Sequence, residues 1–271
     1  MILNHNNWQK ICINLKKNNH LFTRADEIQK LSTYKWVLIK HDIETDPNSA
    51  LEIAKIESSL DIAATYYIQG DLILKHSKIF KDIESLGHEI AYHYDVLDAN
   101  DGDFSRAISD FEDNLKNFSK AGFEVKTICP HGNPLMKRNG WSSNRDFFES
   151  KFVRNKYSHL FDIVVDINNV TNNLLYISDV GYSFKEIIDI SSTDQKNLHK
   201  SKSIDINTKL YKHFDKTIVI STHPHRWTKF SISFIFKKYF FVLSRNIARY
   251  LYKVPIFKFI ISKFFFLARK F

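Results

Sequence analysis

Asp42 and Glu44, in KHDIET at 40–45, are two carboxylates separated by one residue at the end of an apolar run. A pair so placed can divide two tasks, one side chain holding a divalent cation while the other accepts a proton from water. The same pattern also fits a turn with a capping Asp and a solvated Glu. His93 follows EIAY at 89–92, where an imidazole can face a site built from strand ends, as zinc ligands do. Asp95, two residues later, can orient His93, bind the ion itself or lie exposed in a loop. CPHGNP at 129–134 sets His131, Gly132 and Asn133 between two prolines, a fixed turn in which a glycine permits close backbone approach and a main-chain N–H can serve an oxyanion. In THPHRW at 222–227, His223 can donate a proton to a leaving group, and Arg226 and Trp227 can hold a carboxylate or the face of a sugar ring. Trp227 fits equally well as a core plug. Six of the twelve histidines (His41, His88, His93, His131, His223 and His225) lie in or beside these segments, which packing alone does not account for. His88 starts its strand at the opposite end and reads as structural.

The elements that must position these groups are visible as punctuated periodicity. Apolar, β-branched runs bounded by turn residues predict strands at 36–40, 63–69, 89–93, 125–129, 161–166, 174–178 and 217–221. Helical patterns lie between several of them. The clearest is 104–118, where Phe104, Ile108, Phe111, Leu115 and Phe118 recur at four-three spacing ahead of Gly122. Two more are expected at 49–59 and 72–86, the latter stopped by Gly87. Strands alternating with helices imply parallel βαβ units, hence an α/β barrel or open sheet whose working residues gather at the carboxyl ends of the strands.

Composition narrows the class further. At 271 residues, with 44% apolar and 25% charged residues, the chain suits one globular core. Two cysteines cannot form a disulfide framework, and the first 19 residues offer no uninterrupted apolar stretch for export, so a cytoplasmic location is expected. The net charge of +9 resides in one place: residues 228–271 hold ten basic residues and no carboxylate, leaving 29 basic against 30 acidic elsewhere. Nucleic acid is therefore not the expected partner.

Taken in order from about 36 to 227, HDIE, GHEIAYHYD, PHGNP and HPHRW resemble the motifs of the polysaccharide deacetylase (NodB-homology carbohydrate esterase) superfamily, in the branch marked by HDVD, GHEIGYHYE, HG and HPxRW. The resemblance implies a distorted (β/α) barrel that hydrolyses an acetyl group on a sugar with help from a divalent metal, zinc by expectation. It implies Asp42 as general base, Glu44 as metal carboxylate and His93 as first metal histidine. It also implies His223 as general acid and Asp179 as the acidic residue that tunes it. Leu97 stands where the family's second metal histidine would be, and His131 or Asp95 is then the third ligand, His131 being preferred. Gly132, Asn133, Arg226 and Trp227 are the expected substrate contacts.

The expected organisation is a barrel over 1–229 and a basic, Phe-rich helical extension over 230–271. On a helical projection of 236–253, Lys238, Arg245, Arg249 and Lys253 oppose Phe236, Phe240, Leu243, Ile247 and Leu251. Such a helix can lie on an anionic membrane surface or pack on the protein. The expected function is removal of an acetyl group from a sugar, nucleotide sugar or lipid-linked glycan during cytoplasmic assembly of a surface polysaccharide. The alternatives are a catalytically degenerate barrel that binds glycan or acts as a scaffold at the membrane, and a metal-dependent amidohydrolase acting on a non-sugar amide.

Overall fold

A computed structural model of the chain describes residues 1–18, 20–31, 35–132, 138–188, 201–213 and 215–251. Among the described residues ten strands form one sheet: β1 (Leu21–Thr23), β2 (Trp36–Ile43), β3 (Thr65–Gln69), β4 (Glu89–Tyr94), β5 (Thr127–Pro130), β6 (Phe161–Asp162), β7 (Leu174–Ser178), β8 (Lys185–Ile187), β9 (Ser201–Ser203) and β10 (Thr217–Thr222). Their order is β6-β5-β4-β3-β2-β10-β7-β8-β9, parallel from β6 to β7 and antiparallel across β8 and β9. The expected α/β architecture is present as a curled, open barrel with β6 and β9 at its edges. On one flank of β2, β1 pairs with Trp36 to Leu38 and β3 takes over from Lys40 to Ile43, so two strands share that flank in succession.

All eight residues of β2 are buried, as a parallel strand covered on both faces requires. Because side chains alternate, Trp36 and Leu38 join an inner cluster with Tyr67, Ala91, Cys129 and Val219, while Val37, Ile39 and Ile43 join the larger outer core under the helices. Lys40 and Asp42 follow the inner set, and His41 the outer one. The crossover helices supply the outer layer. Pro47–Ser58 begins at Asp46, whose carboxylate accepts from Ser49 N, and Pro47 at the first turn forfeits only an N–H that has no helical partner. The helix Phe104–Lys120 buries Ala107, Phe111 and Phe118, with Ile108 and Leu115 half-buried against them and Phe104 exposed at its start.

The helix expected over 72–86 is two pieces, Gly70–Ile73 and Ser77–Ser85, with an exposed Leu74 between them. Gly70 begins the first piece where a Cβ would fall 1.8 Å from Asn114 Oδ1, so a larger residue there would have to displace the Asn114 side chain of the long helix. The strand expected over 161–166 stops at Asp162, whose Oδ1 accepts from Val164 N and Val165 N and turns the chain.

The helix His5–Lys17 buries Trp8, Ile11, Cys12 and Leu15, and the chain start is tied to the far end by His5 N to Thr228 O and Thr228 N to Leu3 O. Both cysteines are free and buried. The helix Ser231–Leu251 follows directly and seats Phe234 and Phe241 against Tyr182, at ring separations of 6.1 and 5.0 Å. Among the described residues no helix is long and apolar enough to cross a membrane. Residues 252 and 253 of the projected tail helix lie outside the described residues.

Candidate active site

The inner face of β2 carries Lys40 and Asp42 toward the carboxyl ends of the strands. Lys40 Nζ lies 2.6 and 2.7 Å from the two Asp42 oxygens and 5.3 Å from the centre of the Tyr67 ring, and Ser221 Oγ donates to Asp42 Oδ2 at 3.3 Å. Burial opposes the charge on Asp42, but the Lys40 ammonium, aided by His93 and His223, outweighs it and holds the carboxyl well below the usual range. Burial works against Lys40 too, and there the Asp42 carboxylate prevails and keeps it protonated. Lys40 has no role in the sequence reading. Its signal was present, as a charge in an apolar run two residues before Asp42 and hence on the same face.

Glu44 begins the loop after β2, His93 sits near the end of β4 and His131 follows β5. One ligand atom from each lies within 4.8 Å of the others. His131 Nε2 is 3.2 Å from Glu44 Oε1, and the rings of His93 and His131 meet edge to face at 5.2 Å. The backbone fixes these side chains: His131 N donates to Tyr94 O at 2.7 Å, and Asn144 Nδ2 holds His131 O at 2.9 Å. His93 Nδ1 lies 3.0 Å from Cys129 O, which assigns the proton to Nδ1 and leaves the Nε2 lone pair for the site.

Electrostatics suit a cation there. Burial pushes the His93 pKa down to about 4, so the ring is neutral. Burial opposes ionisation of Glu44, yet the hydrogen bond and charge of His131 hold it well below the ordinary carboxylate value. One carboxylate and two imidazoles are a donor set for zinc or a related divalent ion. A second set, Asp42, His93 and Cys129, is equally close. It fits less well, because Lys40 already occupies both oxygens of Asp42 and burial drives the Cys129 thiol away from the thiolate a metal needs. Asp95 belongs to neither set and stands at the start of the short helix Val96–Ala99.

Across the mouth, β10 delivers His223. Its Nδ1 lies 2.6 Å from Asp179 Oδ1, and its Nε2 is 3.8 Å from Glu44 Oε1 and 4.0 Å from Asp42 Oδ2. Asp179 is fully buried just past β7. It also accepts from His223 N at 3.0 Å, Arg226 Nη1 at 3.1 Å and Trp227 Nε1 at 2.9 Å. Burial would raise its pKa, but His223 and then Arg226 bring it down to about 2. His225 borders the same mouth, its ring 5.9 Å from that of His223, and burial followed by the Arg226 charge lowers its pKa to about 3.

One expected substrate contact is corrected by this arrangement. Trp227 is 1% exposed and packs on Trp8 and Phe184 at 5.0 and 5.9 Å, so it is the core plug and offers no face to a sugar. Arg226 is engaged with Asp179, because a fully buried carboxylate requires several donors. Gly132 is exposed, and the space where its Cβ would point is open for 4 Å. Asn133 lies outside the described residues.

Behind the site is a network that no sequence motif marks. Glu57 is wholly buried and accepts from Trp8 Nε1 at 3.0 Å, His41 Nε2 at 2.8 Å and Tyr66 OH at 2.7 Å, and His41 Nδ1 meets Thr222 Oγ1 at 2.6 Å. It ties β2, β3 and β10 to the helix Pro47–Ser58 directly beneath Asp42 and His223. His88, as expected, is structural, spanning Ala64 N and Ala54 O.

No protein-family model and no curated protein matches the chain. Among solved structures it is similar to a family 4 carbohydrate esterase from Streptomyces lividans in complex with acetate, at 14% identity over 77% of this chain and 88% of that one, TM-score 0.44. A peptidoglycan deacetylase from Bacillus subtilis is similar at 12% identity over 80% and 95%, TM-score 0.37. A family 4 pseudoenzyme from Bacillus anthracis is similar at 11% identity over 69% and 68%, TM-score 0.36.

Proposed function

We propose that the chain is a metal-assisted hydrolase of the polysaccharide deacetylase type, removing an acetyl group from a sugar during cytoplasmic assembly of a surface glycan. One observation carries this reading: Glu44, His93 and His131, from three different strand ends, place their ligand atoms within 4.8 Å of one another, and His223 faces them with Asp179 behind it. A divalent ion bound there would polarise an acyl carbonyl and lower the pKa of a bound water. His223, its Nδ1 fixed by Asp179, presents Nε2 to protonate the departing nitrogen or oxygen. Asp42, ionised and 4.0 Å from His223, would act as the general base that takes the proton of the attacking water. The substrate class is an acetylated sugar, free or carried on a nucleotide or lipid, and two buried, unpaired cysteines suit a reducing compartment.

A second reading is favoured by Lys40. A carboxylate with both oxygens on a buried ammonium is a weak proton acceptor, as a degenerate, glycan-binding barrel would tolerate. Elemental analysis and acetate release from a panel of N- and O-acetylated sugars separate the two. Hydrolysis requires one ion per chain, lost in His93→Ala, and acetate release that vanishes in His223→Ala. Sugar binding with neither ion nor acetate would establish the second reading instead.

A further inference from the structure

The helix Ser231–Leu251 is built the wrong way round for a segment that merely closes the barrel. Phe234 is buried and Phe241 half-buried against Tyr182, so its contact with the body is narrow. On the opposite side Ile235, Phe236, Tyr239, Phe240, Leu243 and Ile247 recur at three- and four-residue spacing, and all are exposed, Phe236 at 70% and Phe240 at 55%. A continuous apolar stripe of this kind on a globular protein marks a surface that something covers.

Charge identifies the partner. From 228 to 271 there are ten Lys and Arg and no Asp or Glu, whereas the rest of the chain is nearly neutral. The exposed Lys229 precedes the helix, and Lys237 leaves the stripe to donate to His225 O at 3.0 Å. Aromatic and aliphatic side chains on one face, flanked by cations without a single anion, complement a bilayer whose headgroups are negative and whose interior is apolar. A second copy docked through the same face would instead set Lys229, Lys237 and Lys238 against the same cations of the first.

We propose that the outward face of the helix Ser231–Leu251 is a docking surface for an anionic lipid bilayer, on which the helix lies without crossing. The helix starts five residues after Arg226 and touches the His225 backbone, so docking sets the mouth of the barrel beside the membrane surface. This inference is independent of the chemistry at the mouth.

The test is co-sedimentation of the full-length protein with vesicles of phosphatidylcholine alone or with 30% phosphatidylglycerol (roughly the anionic content to which polybasic segments respond), with no sugar present. The expected result is binding to the anionic vesicles, weakened at least about tenfold in high salt and likewise in the triple variant Phe236→Ser, Tyr239→Ser, Leu243→Ser. Because the replaced side chains are exposed, the variant should keep the wild-type circular dichroism and melting temperature. Absence of binding, equal binding to neutral vesicles, or undiminished binding by a folded triple variant overturns the proposal. So does a wild-type dimer in sedimentation that the variant splits, which assigns the stripe to a second copy. Acetate release is not measured in this experiment, so its outcome is separate from that of the hydrolase reading.

Discussion

Lys40 Nζ contacts both carboxylate oxygens of Asp42, at 2.6 and 2.7 Å, inside the barrel and beneath its mouth. Two adjacent inner positions of one strand thus form a closed ion pair with 1% and 9% side-chain exposure. Removing one partner leaves the other charged and buried. Lys40→Met is expected to destabilise the protein by about 3–5 kcal/mol, and the double variant Lys40→Met, Asp42→Asn by much less. Urea denaturation of the four proteins in the cycle reads this directly, and additive single and double effects would show that the pair is not coupled.

The Glu44, His93 and His131 cluster couples metal affinity to stability. If an ion binds the folded chain alone, chelation should lower the melting temperature of the wild type by the equivalent of roughly 3–4 kcal/mol at saturating metal. His93→Ala should melt at one temperature with or without chelator. A chelator shift of equal size in that variant would move the ion to other ligands.

Trp227 separates a packing role from a binding one. As a fully buried indole that donates to Asp179, it should cost about 3–5 kcal/mol when replaced by alanine, visible as a lowered urea midpoint without any sugar. Weaker sugar binding with unchanged stability would restore it to the substrate surface.

Glu89 provides the pH signature. It lies at the amino end of β4, where burial, and then the nearby Asp26, raise its pKa to about 7 despite hydrogen bonds from Thr65, Thr127 and Asp26 N. Between the unfolded value of 4.5 and about 7 the native state holds the extra proton, so stability declines as pH rises through that window and levels off above it. The full decline is on the order of 3 kcal/mol. Asp162, raised by burial to about 6, adds a slope of the same sign that ends sooner. His93 and His225, lowered by burial, contribute a slope of the opposite sign in both proteins, so the signature is a difference: the stability of the wild type relative to Glu89→Gln should fall between pH 6 and 7.5. A relative stability that stays constant across that window would assign the titration elsewhere.

Much of this architecture could be read from the chain because the parallel strands are unbroken apolar runs ending in polar clusters. Leu174–Ser178 matches its expected limits, and β2, β4 and β10 run only one to three residues longer. The helix His5–Lys17 carries a stripe of Trp8, Ile11, Cys12 and Leu15 at helical spacing, legible in the sequence though interrupted by Asn and Lys. β1, β8 and β9 have three residues each, too short for a period-two signal, and take their pairing from neighbours. At the site, the motif residues Asp42, Glu44, His93, His131 and His223 were nameable because each lies within one residue of the end of a strand. Glu57 was not, since it sits in the last turn of a crossover helix and only packing reveals that a carboxylate 16 residues from His41 is its partner; Lys40 could be placed on the face of Asp42, but not its contact with both oxygens. Trp227 shows the opposite limit, because an aromatic beside a catalytic-looking motif carries no mark of which way it faces.

The alternation along β2 also bears on how the chain avoids folding incorrectly. A one-residue slip of this strand against β3 or β10 would drive Lys40 and Asp42 into the hydrocarbon beneath the helices and turn Ile39 and Ile43 toward the opening. An all-aliphatic strand would tolerate such a shift with little complaint, but a central strand carrying two opposite charges at i and i+2 does not, since the pair would move as one into an apolar layer, away from the Ser221 hydroxyl and the polar groups at the mouth. The pair therefore acts as a proofreading mark for assembly, selecting the correct threading before any substrate is present.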